Sequence, residues 1–396
     1  MSRVRSLIQS NELIRSAALF TLWVALHIYA ARPLLVAAAA EGIRPLIAWS
    51  VVLVTPFISM LPFFARRSDA LRLRSLAHWA GYATMSVFSI LLVLVMTSDV
   101  VRLSLRIVSA SVSACTMSFA TIGAAAVLAF VGFVQARRPR VVSLEIPAPL
   151  DYRIVQWSDV HIGPTIQRRF VESLVERTNA LHADAIVITG DLVDGYVDGL
   201  RHAMEPLRDL RARDGVFVVT GNHEYYWRAS EWVKEFARLG LTFLKNEHRV
   251  INDDLVIAGV TDPAGRYTHK PDAAAALKGV PREAFKVLLA HRPQVAQAAS
   301  KLGVDLQLSG HTHGGQFFPF NLLIRWFQPV VAGLHRIGDT LLYVSRGTGY
   351  WGPPSRLGVG GEITLIDLTS GSAGCQPAGA RAPRSRRQVA GGPAGW

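Results

Sequence analysis

Asp159 and His161 in DVH, Asp191 in GDLVD, Asn222 and His223 in GNHE, His291, and His311 and His313 in GHTHGGQ follow one another through the second half of a 396-residue chain. Their side chains are carboxylate, imidazole and carboxamide, the mixed oxygen and nitrogen set that suits borderline divalent ions such as Mn, Fe or Zn. They suffice for two ions. Two adjacent cations of that kind activate water and neutralise charge on a phosphoryl group, so the chemistry expected is hydrolysis. Thiolates take no part: Cys115 lies in an apolar run and Cys375 in a polar tail, which excludes a disulfide framework and a cysteine metal site.

Ligands so far apart in sequence need a scaffold that gathers them. YRIVQWSD, DAIVITGD, GVFVVTGN, DLVIAGVTD, FKVLLAH, DLQLSGH and LLYVSRG each read as a short apolar strand ending in a polar or glycine-rich loop. Amphipathic helices are expected between some of them, at 167–181 and 229–239. Strands apolar on both faces imply a layered α/β domain over 151–368, a β-sandwich flanked by helices. Each candidate ligand follows a strand, and loops leaving one edge of such sheets converge on one crevice. Gly190, Gly221 and Gly310 precede key residues and permit sharp turns there.

The first 140 residues are of another kind. A mean hydropathy of +0.27 with 18% charged residues is too apolar for an ordinary soluble enzyme. Four stretches, 17–40, 47–64, 79–98 and 112–134, are expected to form an α-helical transmembrane bundle, since a span needs about 20 apolar residues. The first is interrupted by Arg32 and Pro33 and the second holds two prolines. Arg3, Arg5, Arg15, Arg66, Arg67, Arg72, Arg74, Arg137, Arg138 and Arg140 flank one side of these spans, against Arg32, Arg44, Arg102 and Arg106 on the other. The positive-inside rule then puts the 151–368 domain in the cytoplasm of a multi-pass integral membrane protein. A net charge of +13 fits anionic headgroups, and no basic recognition helix or aromatic platform suggests a nucleic-acid partner.

The ordered motif series resembles the calcineurin-like metallophosphoesterase superfamily over about 151–368, and GHTHGGQ with the membrane-anchored layout resembles its branch of bacterial phosphoesterases and transmembrane proteins. The resemblance implies that Asp159, His161, Asp191 and His313 hold one metal and that Asp191, Asn222, His291 and His311 hold the second. Asp191 would bridge them. It also implies that His223 faces the leaving group, with Asp194 orienting it and Glu224 in support. Some members of the branch hydrolyse UDP-2,3-diacylglucosamine in lipid A synthesis, which makes a lipid-linked phosphodiester or pyrophosphate the expected substrate. A soluble nucleotide or phosphoprotein substrate, and a membrane sensor or scaffold without turnover, are the other readings.

Beyond the motifs, Arg346 and Arg356 are candidates to touch phosphate or to serve as structural arginines. The apolar segment 317–334 reads either as a membrane-dipping lip or as a buried loop and strand. His182, His202, His248 and His269 lack such contexts and read as surface or loop histidines, whereas His27 and His78 belong to the membrane region. The tail 369–396, rich in Gly, Ala, Pro and Arg, is expected to be disordered.

Overall fold

The computed structural model describes residues 2–65, 71–266, 269–328 and 330–371, so most of the expected disordered tail lies outside the described residues. The chain opens with five helices: α1 (Ser2–Ala30), α2 (Arg32–Ala40), α3 (Pro45–Ala65), α4 (Leu71–Ile107) and α5 (Ala114–Arg137). Among the described residues α3, α4 and α5 are long and apolar enough to cross a membrane. The stretch expected as one span at 17–40 is instead two helices bent by 41°. Pro33, in the first turn of α2, has no N–H to continue the ladder of α1. Among the described residues three helices, or four if the bent pair counts as one, are thus apolar and long enough to cross a membrane.

The two prolines of α3 leave the helix intact for visible reasons. Pro56 removes the bond that would reach the Val52 carbonyl, and Thr55 Oγ1 donates to that carbonyl at 2.8 Å instead. Pro62 packs against Gly81 of α4, where any Cβ would strike the proline ring. The third span, expected at 79–98, belongs to a helix of 37 residues. At 1.5 Å per residue that is about 55 Å, against a hydrocarbon core of about 30 Å. α4 is therefore longer than a single membrane crossing requires.

The rest of the chain forms two six-stranded mixed sheets. The first has the order β1 (Arg140–Pro147), β12 (Glu362–Thr369), β2 (Tyr152–Trp157), β3 (Ala185–Thr189), β4 (Val216–Val219), β5 (Thr242–Phe243). The second runs β10 (Gly333–Ile337), β11 (Thr340–Val344), β9 (Leu306–Ser309), β8 (Phe285–Leu289), β7 (Leu255–Gly259), β6 (Glu247–Asn252). Successive side chains point to opposite faces, so Ile154, Val187, Val219, Ile257 and Leu308 meet between the sheets. Val155, Trp157, Ile186 and Val218 point outward and pack under α6 (Arg168–Asn179), α7 (Val197–Met204) and α9 (Ala229–Arg238). Trp157 Nε1 donates to Thr178 Oγ1 at 2.9 Å and pins β2 to α6.

β1 adds a strand to the sheet ahead of the 151–368 stretch expected for the α/β domain. β1 pairs in parallel with β12 along its full length, but it is an edge strand with mostly exposed side chains, and its sequence lacks a doubly apolar pattern. Only Arg138 and Pro139 separate it from α5, so the last membrane helix runs almost directly into the sheet. The contact is close. Arg356 N donates to the Gly132 carbonyl at 3.0 Å, Gly358 N to Gln135 Oε1 at 3.2 Å, and Ser75 Oγ of α4 to the Pro164 carbonyl at 3.0 Å. A Cβ on Gly132 would press on Ser355. Overpacking of this kind typically costs about 1–3 kcal/mol, so Gly132→Val should lower the melting temperature of the full chain in detergent by several degrees. An unchanged melting curve would show that α5 is not seated on the α/β domain.

Candidate metal centre

The site lies at the C-terminal ends of β2, β3, β4, β8 and β9, where the parallel strands release their loops side by side. Asp159, His161, Asp191, His311 and His313 all adopt positive φ, between 52° and 73°. Left-handed backbone at a non-glycine residue costs on the order of 1–3 kcal/mol and clusters at functional sites. The loops accept that strain in order to turn side chains back over the sheet edge. Gly310 and Gly221 permit the approach: a Cβ on either would strike the carboxylate of Asp159 or Asp191.

Eight of the nine metal-ligand and proton-donor residues expected at the centre converge through direct contacts around the buried Asp191. Asp159, His161 and His313 form one group, and Asp191, His291 and His311 another. In the first, His161 Nε2 and His313 Nε2 stand 3.0 Å apart, and His313 Nε2 is 3.2 Å from Asp159 Oδ1. In the second, His291 Nε2 is 3.3 Å from Asp191 Oδ2 and 3.2 Å from His311 Nδ1. Metal to nitrogen bonds of about 2.0–2.1 Å at angles of about 90–110° separate neighbouring donors by about 3.0–3.4 Å. The donor sets fit an ion each. Asp191 Oδ2 also lies 3.9 Å from His161 Nε2, between the two groups.

Asn222, the ninth, is buried at the start of α8 (Asn222–Tyr226), and its Oδ1 is buried without a hydrogen-bond partner. A buried orphan acceptor is costly, and a cation would satisfy it. The ring tautomers fit as well. His291 Nδ1 donates to the Thr189 carbonyl at 2.8 Å, so Nε2 is the nitrogen that faces Asp191 and would be free for a metal once its proton is lost.

Electrostatics enforce the same arrangement. Burial, then the neighbouring charges of His223 and His313, holds His161 well below the usual imidazole range. Burial and the Arg356 guanidinium do the same for His313. His311 is pushed down to about 4, first by burial and then by His291. These rings stay neutral, the form a metal requires. Burial would also depress His291, but the Asp191 carboxylate overrides it and raises the imidazole to about 10. An ion entering that group must displace a proton.

Arg356 is not a surface residue. It is fully buried, with Nε on the Gly349 carbonyl at 2.6 Å, Nη1 on the Arg346 carbonyl at 2.6 Å and Nη2 3.2 Å from His313 Nδ1. It braces the back of His313. Arg346 stays half open to solvent beside Gly314, 4.0 Å from Glu362.

Glu224 and Asp194 were expected from the sequence beside His223, whereas the aromatic side chains around it had little signal there. Glu224 is buried and its carboxylate accepts from the N–H groups of Gly221, Asp191, Leu192 and Val193 at 2.6–3.3 Å, tying two ligand loops together. Burial and the charge of Asp191 raise its pKa to about 7. His223 Nδ1 lies 3.2 Å from Asp194 Oδ1, which also accepts from Trp227 Nε1 at 2.9 Å. The rings of Tyr226 and Trp351 flank His223 at 5.1 and 5.8 Å. Trp227 stands four residues after His223, one helical turn on, which is the only hint of it. His269, read as a loop histidine, lies 3.0 Å from Tyr225 OH and outside both groups.

Because His291 carries a proton without metal, manganese uptake near pH 8 should release about one proton. Calorimetric titrations in buffers of different ionisation enthalpy should then give different apparent enthalpies, and affinity should rise with pH. A buffer-independent enthalpy would contradict the assignment of His291.

The family description for calcineurin-like phosphoesterases matches residues 152–315. A transmembrane protein with metallophosphoesterase domain from Danio rerio is 39% identical over 264 residues, covering 61% of this chain and 60% of that one. An uncharacterized metallophosphoesterase from Helicobacter pylori is 38% identical over 247 residues, covering 60% and 66%. One from Aquifex aeolicus is 32% identical over 241 residues, covering 60% of this chain and 92% of its own. The alignments span about 60% of the length of the vertebrate relatives. With the α/β scaffold and the two donor groups in place, these similarities make the chain a member of the calcineurin-like metallophosphoesterase family.

Proposed function

We propose that this chain is a membrane-anchored, dinuclear metal-dependent phosphoesterase that hydrolyses a phosphodiester or pyrophosphate bond in a lipid-linked substrate, of which UDP-2,3-diacylglucosamine is one example, at the cytoplasmic surface. The observation that carries the reading is the seating of two donor groups, joined at Asp191, on helices long enough to span a bilayer. Further support comes from the lip at 317–328. Phe318 packs against the helical bundle with Ala125 and Leu128, while Phe320, Leu322, Trp326 and Phe327 stay exposed beside it. Exposed aromatics next to membrane helices suit headgroup depth.

Asp159, His161, Asp191 and His313 would hold one ion, and Asp191, Asn222, His291 and His311 the other. When bound, the ions supply water activation and charge neutralisation on the phosphoryl oxygens. His223 would donate a proton from Nε2 to the leaving oxygen. Asp194 accepts from Nδ1, fixing the ring with Nε2 toward the centre, 4.0 Å from Asp191 Oδ2. Burial opposes the imidazolium, but the Asp194 hydrogen bond and the surrounding carboxylates raise the His223 pKa above its ordinary value. The proton donor form then persists to higher pH. Arg346, open to solvent at the rim, is a candidate phosphate contact.

Purified protein with manganese should hydrolyse bis(p-nitrophenyl) phosphate, and activity should fall as pH rises through the raised His223 pKa. Asp194→Asn removes the contact that raises it, so the basic limb should move to lower pH and kcat should drop about tenfold to hundredfold. A basic limb left in place would rule out the Asp194–His223 pair as proton donor. Incubation with a membrane lipid extract, compared by mass spectrometry with Asp191→Ala, should reveal a phosphate-linked lipid consumed only by the unmodified protein.

A further inference from the structure

The membrane helix α4 supplies part of the active-site wall. Arg74, His78 and Tyr82 are spaced four residues apart and share one face of that helix. Together they line one cavity with His161, Asp194 and Trp227 of the α/β domain. His161 belongs to the first donor group, and Asp194 holds His223. The Arg74 end of α4 thus reaches the side of the centre where Asp194 holds His223.

Arg74 is the cation in that wall. Its guanidinium lies beside Gly195, where an added Cβ would stand 3.4 Å from Nη2. Among the described residues no carboxylate lies within ion-pair distance of it, although the structure pairs arginines freely elsewhere, as in Arg238 with Glu205 and Glu235. The Ser75 to Pro164 hydrogen bond fixes the adjacent residue on the α/β domain, so Arg74 is held there by its neighbour and not by a counter-ion. A half-buried guanidinium without a carboxylate, facing a phosphoesterase centre, suits phosphoryl oxygens, to which arginine makes charge-assisted and often bidentate bonds.

We propose that Arg74 binds a phosphoryl oxyanion of the substrate, so that the membrane domain contributes a recognition residue to the catalytic site. The assignment rests on the phosphoesterase reading for the identity of the ligand. It also gives the bundle a role besides anchoring: the substrate is gripped between α4 and the metal-site loops.

Calorimetric titration of the manganese-loaded full chain, in phosphatidylcholine nanodiscs, with inorganic phosphate tests this without turnover. Arg74→Ala should weaken phosphate about tenfold, and Arg74→Lys should recover most of the loss, with the melting temperature of each loaded variant close to that of the unmodified protein. Equal phosphate affinity in the unmodified protein and Arg74→Ala would overturn the assignment, as would a lysine variant as weak as alanine. Phosphatidic acid in the nanodisc distinguishes the source of the oxyanion. If it competes with phosphate only when Arg74 is present, the ligand is borne by lipid; if phosphate affinity depends on Arg74 without such competition, the ligand is a soluble phosphoester, and both results uphold the contact. Absence of bis(p-nitrophenyl) phosphate turnover with Arg74-dependent phosphate binding would refute the hydrolase reading alone.

Discussion

Asp191 places a carboxylate with 3% of its side chain exposed at the point where the loops of both sheets meet. A charge taken so far from water is tolerated only when opposite charge and hydrogen bonds surround it. Much of the site answers that demand. His223 N donates to Asp191 Oδ1 at 2.8 Å, His291 approaches Oδ2 to 3.3 Å, and those contacts hold the carboxyl well below its ordinary range against the opposing effect of burial. Glu224 then fixes the peptide on which Asp191 sits. A second buried carboxylate, Asp159, lies across the site with its pKa raised by burial. Two buried carboxylates and a set of neutral imidazoles leave a deficit of positive charge that divalent ions would supply.

The same constraint explains the backbone. Five site residues hold left-handed conformations, a cost that packing of the doubly covered sheets can absorb because the strands beneath are rigid and buried. The membrane bundle is tied to the same region. Arg137 of α5 donates to the Thr165 carbonyl at 3.2 Å, and the buried Tyr350 reaches that carbonyl at 3.3 Å. The loop around Thr165, beside the site, is therefore tied to the end of α5.

The motif residues were legible because each is polar, follows an apolar run and has few other reasons to stand there. Seven strands were readable from the same runs. β1, β5, β6, β10 and β12 were not: β5 has two residues, β1, β6 and β10 are partly exposed strands whose polar positions resemble loops, and β12 alternates polar and apolar residues after a glycine-rich turn. Arg356 reads as one more basic residue near a glycine-rich turn, and only the folded chain buries it behind His313. Arg74 counted toward orientation as a loop charge, because hydropathy marks where a span is apolar and says nothing of a helix that continues beyond it. The bend at Ala31 was signalled by Pro33, but whether α1 and α2 make one crossing depends on packing.

The central claim is that two ions share Asp191, and electron paramagnetic resonance of the manganese-loaded protein tests it most directly. Two manganese ions per chain with the multiline signal of an exchange-coupled pair, lost in Asp191→Ala, is the predicted result. A stoichiometry of one, or two uncoupled ions whose spectrum is indifferent to Asp191, would contradict the account.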